Sequence, residues 1–344
     1  MVNKENTAVM SLNSGRLWAE RLTFKQLALM PSVWRDNVLG IISYGNECNA
    51  SEPLITVDAP NLLNNDIICE VWYQNLPLID GRYSNVIYRQ SENLLFGCVS
   101  ISESITGLKV NTTPLQIATE TAYREIFAVQ DGLQYTTLLR VWNYFPAINK
   151  ETYGIERYRQ FNIGRQNAFL ACGRAITGNV PAASVIGTAS GNLNIAFLAT
   201  RAEMIGIENP RQVSSYYYPS QYGPRTPAFS RATLVNLHGN NILFISGTAS
   251  IVGHHSLHCG DVVAQTKECM NNISAVVAEA KRQVPTILNI ELLNLSYKVY
   301  IRYSTDLPLV RDVLDNYLGK PLQAIYLQAD ICRAELLVEI EAHG

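Results

Sequence analysis

The chain has 344 residues, which suits two domains or one large one, and 47% of them are hydrophobic, enough for a sizeable core. The formal net charge is −2 with no basic run, which argues against nucleic-acid or anionic-membrane partners. No apolar run reaches the roughly 18 residues of a spanning helix, and the opening MVNKENTAVMSLNSG lacks the apolar core of a signal peptide, so a cytoplasmic location is expected.

Strands are expected near VLGIISYG (38–45) and ICEVWYQ (68–74). An internal repeat follows. LLFGCVSIS (94–102) resembles ILFISGTAS (242–250), and each precedes a helix-period segment, 113–130 and 261–280. In the second, Val262, Thr266, Cys269, Ile273, Val276 and Ala280 trace one face, with Asp261 as N-cap. Next come strands at 137–145 and 295–303, then helices at 156–173 and 306–319. Asp306 followed by Pro308 marks the start of the latter. Strands at 324–330 and 336–342 close the chain. Each half reads β-α-β-α-β-β, so two tandem α+β domains are expected, each a sheet covered by helices on one face. The seven cysteines (48, 69, 98, 172, 259, 269, 332) form no CxxC pair and read as reduced thiols.

Strand alternation places candidate chemistry. In LLVEIEA, Leu336, Val338 and Ile340 point one way, while Leu337, Glu339 and Glu341 point the other. In KVYIRY, Lys298, Tyr300 and Arg302 share a face. A carboxylate among Lys, Tyr and Arg suits an anion pocket, and equally a salt-bridged sheet face. Between the halves, 214–231 is rich in Pro, Ser, Gly and Tyr and reads as irregular loop. It offers Tyr216, Tyr217, Tyr218, Tyr222, Arg225 and Arg231. Rings beside guanidinium forks suit a planar, carboxylated ligand; a connector with tyrosine spacers fits as well. In GIERYRQFNIGR (154–165), Arg157 and Arg165 fall on one helix face, with Arg159 between them in sequence. GHHSLHCGD (253–261) has metal-like spacing at His254, His258 and Cys259, but no second ligand cluster, so no metal is expected. No GxSxG, P-loop or GxGxxG occurs, which leaves serine-hydrolase, nucleotidase and dehydrogenase readings without signatures.

SGTASIVGHHSLHCGDVVAQTKECMNNISAVVAEA (246–280) with the terminal LLVEIEAHG resembles the YjgF/Rid fold, also called chorismate mutase-like. In that family a G-x-A loop precedes a helix with Q-T-x-x-x-x-x-N-I, and the last strand reads V-E-I-E-A. ERYRQFNIGR (156–165), YYYPSQYGPRTPAFSRA (216–232) and ADICRAELLVEIE (329–341) are similar to the chorismatases. The resemblance implies an N-terminal Rid-like domain with extra strands over 1–208, an active-site linker at 209–231 and a C-terminal Rid-like domain over 232–344. Rid deaminases carry an arginine about fifteen residues before the first Glu of that strand; here that place falls near Ala324.

By the same resemblance, the chain would remove pyruvate from chorismate. Glu339 would be the general acid, protonating the enol-ether methylene. Tyr222 and Arg225 would hold one substrate carboxylate and Arg157 and Arg165 the other. Apart from the resemblance, strand geometry adds Arg302, and the linker composition Tyr216, as substrate-binding candidates. Cys332 matches the cysteine of the aromatising members, which implies 3-hydroxybenzoate, alone or with 4-hydroxybenzoate, as product. No cofactor is implied. Rid proteins are trimers, and an internal copy can replace a neighbour, so trimer and monomer are both open. Three alternatives remain open from sequence: a chorismate hydrolase giving a dihydroxycyclohexadienoate, a Rid-like imine deaminase, and a non-catalytic ligand-binding protein.

Overall fold

The computed structural model describes residues 15–45, 50–103, 112–287 and 290–344. The N-terminal part of the chain, up to residue 74, holds β1 (Leu17–Thr23), short helices α1 (Phe24–Ala28) and α2 (Ser32–Arg35), β2 (Val38–Tyr44), β3 (Leu54–Val57) and β4 (Ile68–Gln74). Thr23 starts α1 with a reciprocal cap: its side chain accepts from the Gln26 backbone, and Gln26 reaches back to the Thr23 backbone. The middle part holds β5 (Ile79–Tyr83), β6 (Val86–Gln90), β7 (Leu94–Ile101), α3 (Pro114–Leu133), β8 (Thr137–Pro146), the small hairpin β9 (Glu151–Thr152) and β10 (Ile155–Glu156), α4 (Arg157–Ala171), β11 (Ala182–Thr188) and β12 (Leu193–Thr200). The C-terminal part holds β13 (Met204–Ile207), β14 (Ala232–Leu237), β15 (Asn240–Ala249), the hairpin β16 (Ile251–Val252) and β17 (His255–Ser256), α5 (Val262–Gln283), β18 (Ser296–Ile301), α6 (Leu307–Leu318), β19 (Ala324–Gln328) and β20 (Val338–His343).

Helix starts follow local chemistry. Asp261 accepts from the Ala264 amide and caps α5. Asp306 stands at the cap position of α6, but its side chain makes no capping bond; Pro308 in the first turn sets the start instead. Gly319, at φ 69°, ends that helix in the left-handed region.

The repeat holds strand by strand. The second sheet runs β11-β8-β12-β7-β6-β5 and the third β19-β18-β20-β15-β14-β13. In each, the first pair is parallel and the other pairs are antiparallel. The expected β-α-β-α-β-β order is therefore present twice. β13 lies before the linker in sequence yet pairs with β14, so residues 204–207 belong to the third sheet. The extra N-terminal strands form a sheet of their own, β3-β2-β4-β1, again with the first pair parallel. It repeats the order β19-β18-β20-β15 without the two outer strands.

Each sheet turns one face to helices and the other to a shared interior. Leu27 and Trp34 of the short helices pack on Val38, Ile41, Val71 and Tyr73 of the first sheet. α3 and α4 cover the second sheet, and α5 and α6 the third. The opposite faces meet in one core: Leu39, Ile42, Tyr44 and Trp72 from the first sheet, Phe96, Trp142 and Tyr144 from the second, Phe244, Tyr300 and Leu327 from the third. Burying each large side chain there stabilises the fold by roughly 1.5–3 kcal/mol.

Polar groups lie inside that core. The Tyr144 hydroxyl is 3.1 Å from that of Tyr44 and 3.2 Å from that of Tyr300, one tyrosine from each sheet. Lys298 Nζ lies 2.5 Å from Glu70 and 2.7 Å from Glu341. Arg140 pairs with the other Glu341 oxygen at 2.5 Å. All four charged side chains are nearly inaccessible to solvent. No disulfide forms among the described cysteines; Cys48 lies outside the described residues.

Candidate active site

Glu339 owes its direction to the pleat of β20. Val338, Ile340 and Ala342 bury under the helices of the third sheet. Glu339 and Glu341 point the opposite way, and both are 4% exposed. Beyond Glu339 lies a cavity of ≈ 440 Å³, walled by the start of α4, the linker, β15 and the loop of residues 332–335. Gly247 of β15 touches the carboxyl so closely that a Cβ there would overlap Glu339 Oε1, and the same Cβ would meet the Ser184 side chain at 3.1 Å. Only glycine leaves room for the carboxyl in this position.

Among the described residues, no ion pair or hydrogen bond is formed by the Glu339 carboxyl. Burial, and then the charge of Glu341, push its pKa up to about 8; Arg140 and Arg231 pull downward without cancelling this. Glu339 is therefore mostly a neutral acid at pH 7. Glu341, two residues on, behaves oppositely. Burial alone would raise it, but Lys298 and Arg140 outweigh burial and hold it at about 2.

The cationic side of the cavity is built from Arg159, Arg231 and Arg333. Arg231 donates to Tyr218 Oη at 2.8 Å and to the Val213 carbonyl at 2.9 Å. Arg333 lies over the Tyr222 ring at 4.1 Å and donates to the His254 carbonyl at 3.0 Å. Tyr222 donates to the same carbonyl at 2.7 Å, so the His254 loop braces this wall. Tyr158, Tyr218, Tyr222 and Phe229 supply aromatic surface. Three guanidinium groups and several rings around a neutral acid suit a flat anion with an acid-labile bond.

Of the eight sequence candidates, Glu339, Cys332 and Tyr222 line this cavity; the other five lie outside its wall. Arg157 pairs with Glu103 and donates to the Pro146 carbonyl. Arg165 is buried against the Tyr123 and Phe169 rings and holds the Ala228 carbonyl of the linker. Arg157 and Arg165 do fall on one side of α4, but that side faces inward. Arg159 lies about 200° round the helix from Arg157 and reaches the cavity. Arg302 grips Asp330 at 2.5 Å and the carbonyls of Ile331, Arg333 and Leu336, so it shapes the loop that carries Cys332 and Arg333. Arg225 is exposed, and Tyr216 packs edge-on against Tyr217. Arg333 and Gly247 were not among the sequence candidates, while Arg159 and Arg231 stood in segments singled out for their arginines without being assigned to the site. The G-T-A of the Rid-like loop was the available signal for Gly247, since an interior strand glycine often marks close approach.

Cys332 sits half-buried in the wall. Desolvation and the neighbouring Glu339 raise its thiol to about 12, so it stays protonated at neutral pH.

A sequence profile described as chorismatase FkbO/Hyg5-like, N-terminal, matches residues 70–199. A 3-hydroxybenzoate synthase from Streptomyces hygroscopicus is 33% identical over 91% of this chain and 93% of its own length. A chorismatase from the same organism is 34% identical over 89% of both chains. The chain belongs to the chorismatase family. The crystal structure of a chorismatase superposes with a TM-score of 0.85 at 32% identity, covering 97% of this chain and 99% of that one. As a chorismatase, the protein is an enzyme acting on chorismate. The match displaces the imine-deaminase and ligand-binding readings left open by the sequence.

The tight seat of Glu339 has a direct test. Gly247→Ala should displace the carboxyl and lower kcat on chorismate about a hundredfold, with an unchanged circular-dichroism spectrum. A variant with wild-type turnover would mean that the close approach does not matter.

Proposed function

We propose that this chorismatase releases pyruvate from chorismate by proton transfer from Glu339 and delivers 3-hydroxybenzoate. The observation that carries the first part is a buried carboxyl without an ion partner, neutral at pH 7, at the edge of a cavity with three arginines. An enol ether breaks when its methylene carbon is protonated. That step needs a neutral acid and leaves an oxocarbenium ion. The carboxylate left on Glu339 stabilises that cation at close range. Water captures the cation, and the hemiketal collapses to pyruvate and a dihydroxycyclohexadienoate, which loses its remaining ring alcohol as water to give 3-hydroxybenzoate. Arg159, Arg231 and Arg333 hold the substrate carboxylates, with the tyrosine rings flanking the six-membered ring.

Glu339→Gln should bind chorismate with little change in Kd yet release no pyruvate in a lactate-dehydrogenase-coupled assay. Near wild-type turnover would remove Glu339 from the reaction. The rate should be flat through neutral pH and fall about tenfold per pH unit once pH rises above about 8, because ionisation removes the acid.

Cys332 supports the aromatic product. Its thiol is protonated, so it serves as a proton carrier in the ring rearrangement rather than as a standing thiolate. The 3-hydroxybenzoate synthase among the relatives favours the same product. Cys332→Ala should turn the chromatographic product profile toward the dihydroxycyclohexadienoate; an unchanged profile would leave Cys332 a wall residue.

The protein works as a single chain under this reading. Among the described residues the inner faces of its three sheets cover one another, which supports the single chain as the working unit. Light scattering on the purified protein should give about 38 kDa, its chain mass of 38.3 kDa. A mass three times larger would restore the trimer.

A further inference from the structure

Behind Glu339, on the side away from the cavity, lies the buried charge set of the core. Arg140 on β8 is the cation of that set nearest the acid, and it influences the Glu339 carboxyl electrostatically. Its guanidinium is nonetheless turned to Glu341 at 2.5 Å and to Ser184 Oγ at 3.0 Å, and its Nη1 has no partner among the described residues. Lys298 is divided between Glu341 and Glu70. Within the buried set two cations thus face two anions, with Arg21 of β1 opposite Glu70 at the exposed rim, and a neutral Glu339 leaves the buried set balanced. An ionised Glu339 would add one uncompensated buried charge.

We propose that Glu341 is a positioning residue for the reaction: by engaging both Arg140 and Lys298, it leaves Glu339 without a cation to pair with, so Glu339 remains an acid. The other groups around Glu339 do not duplicate this role. Arg231 lies on the cavity side, tied to Tyr218 and Val213. Arg333 is held by the His254 carbonyl, and Arg159 pairs with Glu156. Glu335 accepts from Ser256. Cys332 and Cys269 are neutral thiols. Tyr300, the register partner of Glu339 on β18, is buried and neutral, as are Tyr44 and Tyr144 beyond it. Tyr158, on the α4 side of the cavity wall, is likewise buried and neutral. His343 is held down to about 3 by burial and is uncharged.

Glu341→Gln leaves Arg140 and Lys298 facing Glu70 alone, an excess of one positive charge. Glu339 then ionises at lower pH and ceases to be an acid. Arg140→Met leaves an excess of one negative charge and acts in the opposite direction. The double variant Arg140→Met/Glu341→Gln restores the balance.

The inference rests on Glu339 being the acid, which Glu339→Gln tests separately. The deciding experiment is kcat/KM on chorismate against pH for wild type, the two single variants and the double variant. It is paired with an infrared titration of the Glu339 carboxyl band, assigned by its loss in Glu339→Gln. In Glu341→Gln both the alkaline fall in rate and the loss of the band should move down by one pH unit or more, about a tenfold loss of rate above the new midpoint. Arg140→Met should move both upward, and the double variant should return both toward wild type. A Glu341→Gln profile that superposes on wild type overturns the proposal. So does a loss equal at every pH that the double variant fails to reverse. If Glu341→Gln alone does not fold, Arg140→Met and the double variant decide: unmoved titrations in Arg140→Met overturn the proposal. The infrared band reports without turnover, so a failure of the acid assignment is distinguishable from a failure of the charge-balance argument.

Discussion

Two buried cations facing two buried anions constrain the rest of this molecule. Desolvating each ion costs several kcal/mol, and only close mutual pairing offsets it. The four members come from all three sheets: Glu70 from the first, Arg140 from the second, Lys298 and Glu341 from the third. The set therefore fixes register as well as proximity. Slipping any of the four strands by one residue would turn its charged side chain out of the interior and leave the others unpaired. The tyrosine trio adds a second point of agreement, again with one residue per sheet.

That constraint also explains where the site can be. The second and third sheets meet along β11 and β15, where the Ala183 amide donates to Ser246 Oγ at 2.9 Å. Ser184, Gly247 and Glu339 converge at this junction. The far edge of the third sheet is closed instead by the chain at 60–62, through the Leu62 amide to Tyr326 and the Gln328 amide to Pro60. At the open junction the linker crosses over, closed on itself by Ser215 donating to the carbonyls of Pro227 and Phe229, and pinned from outside by Arg165 to the Ala228 carbonyl, by the Val213 amide to Gly253 and by the Ser230 amide to Pro181. The irregular segment becomes a firm wall because rigid elements hold its backbone at several points.

Much of this was legible in the residues. The alternation in LLVEIEA put Glu339 opposite the helix-covered face, and the repeated hydrophobic patterns gave both β-α-β-α-β-β units. Local periodicity reports local direction, and these features need nothing more. The arginines were harder. Arg157, Arg159 and Arg165 are nearly equivalent as a pattern, and which one reaches the cavity depends on how α4 is rotated against α3. Arg333 sits on the loop after β19, whose path depends on distant Arg302 gripping Asp330 and Asn149. The partnership of Arg140 with Glu341 spans 201 positions and leaves no local trace. The first sheet was hidden for another reason: its short helices and missing outer strands remove the spacing that made the other two copies recognisable.

Three sheets of matching strand order on one polypeptide have a further consequence. In a ring of identical subunits, any side chain placed at one junction recurs at every junction, so a residue good for chemistry must also be tolerated wherever symmetry repeats it. Here each junction has its own residues. Glu339, Gly247 and the 209–231 segment occur once. The edge of the third sheet could be sealed by residues 60–62 without sealing the cavity. The first sheet could shed its outer strands without any loss from the other two. Covalent joining thus frees the copies to diverge, so that one junction is specialised for a reactive acid while the others serve packing.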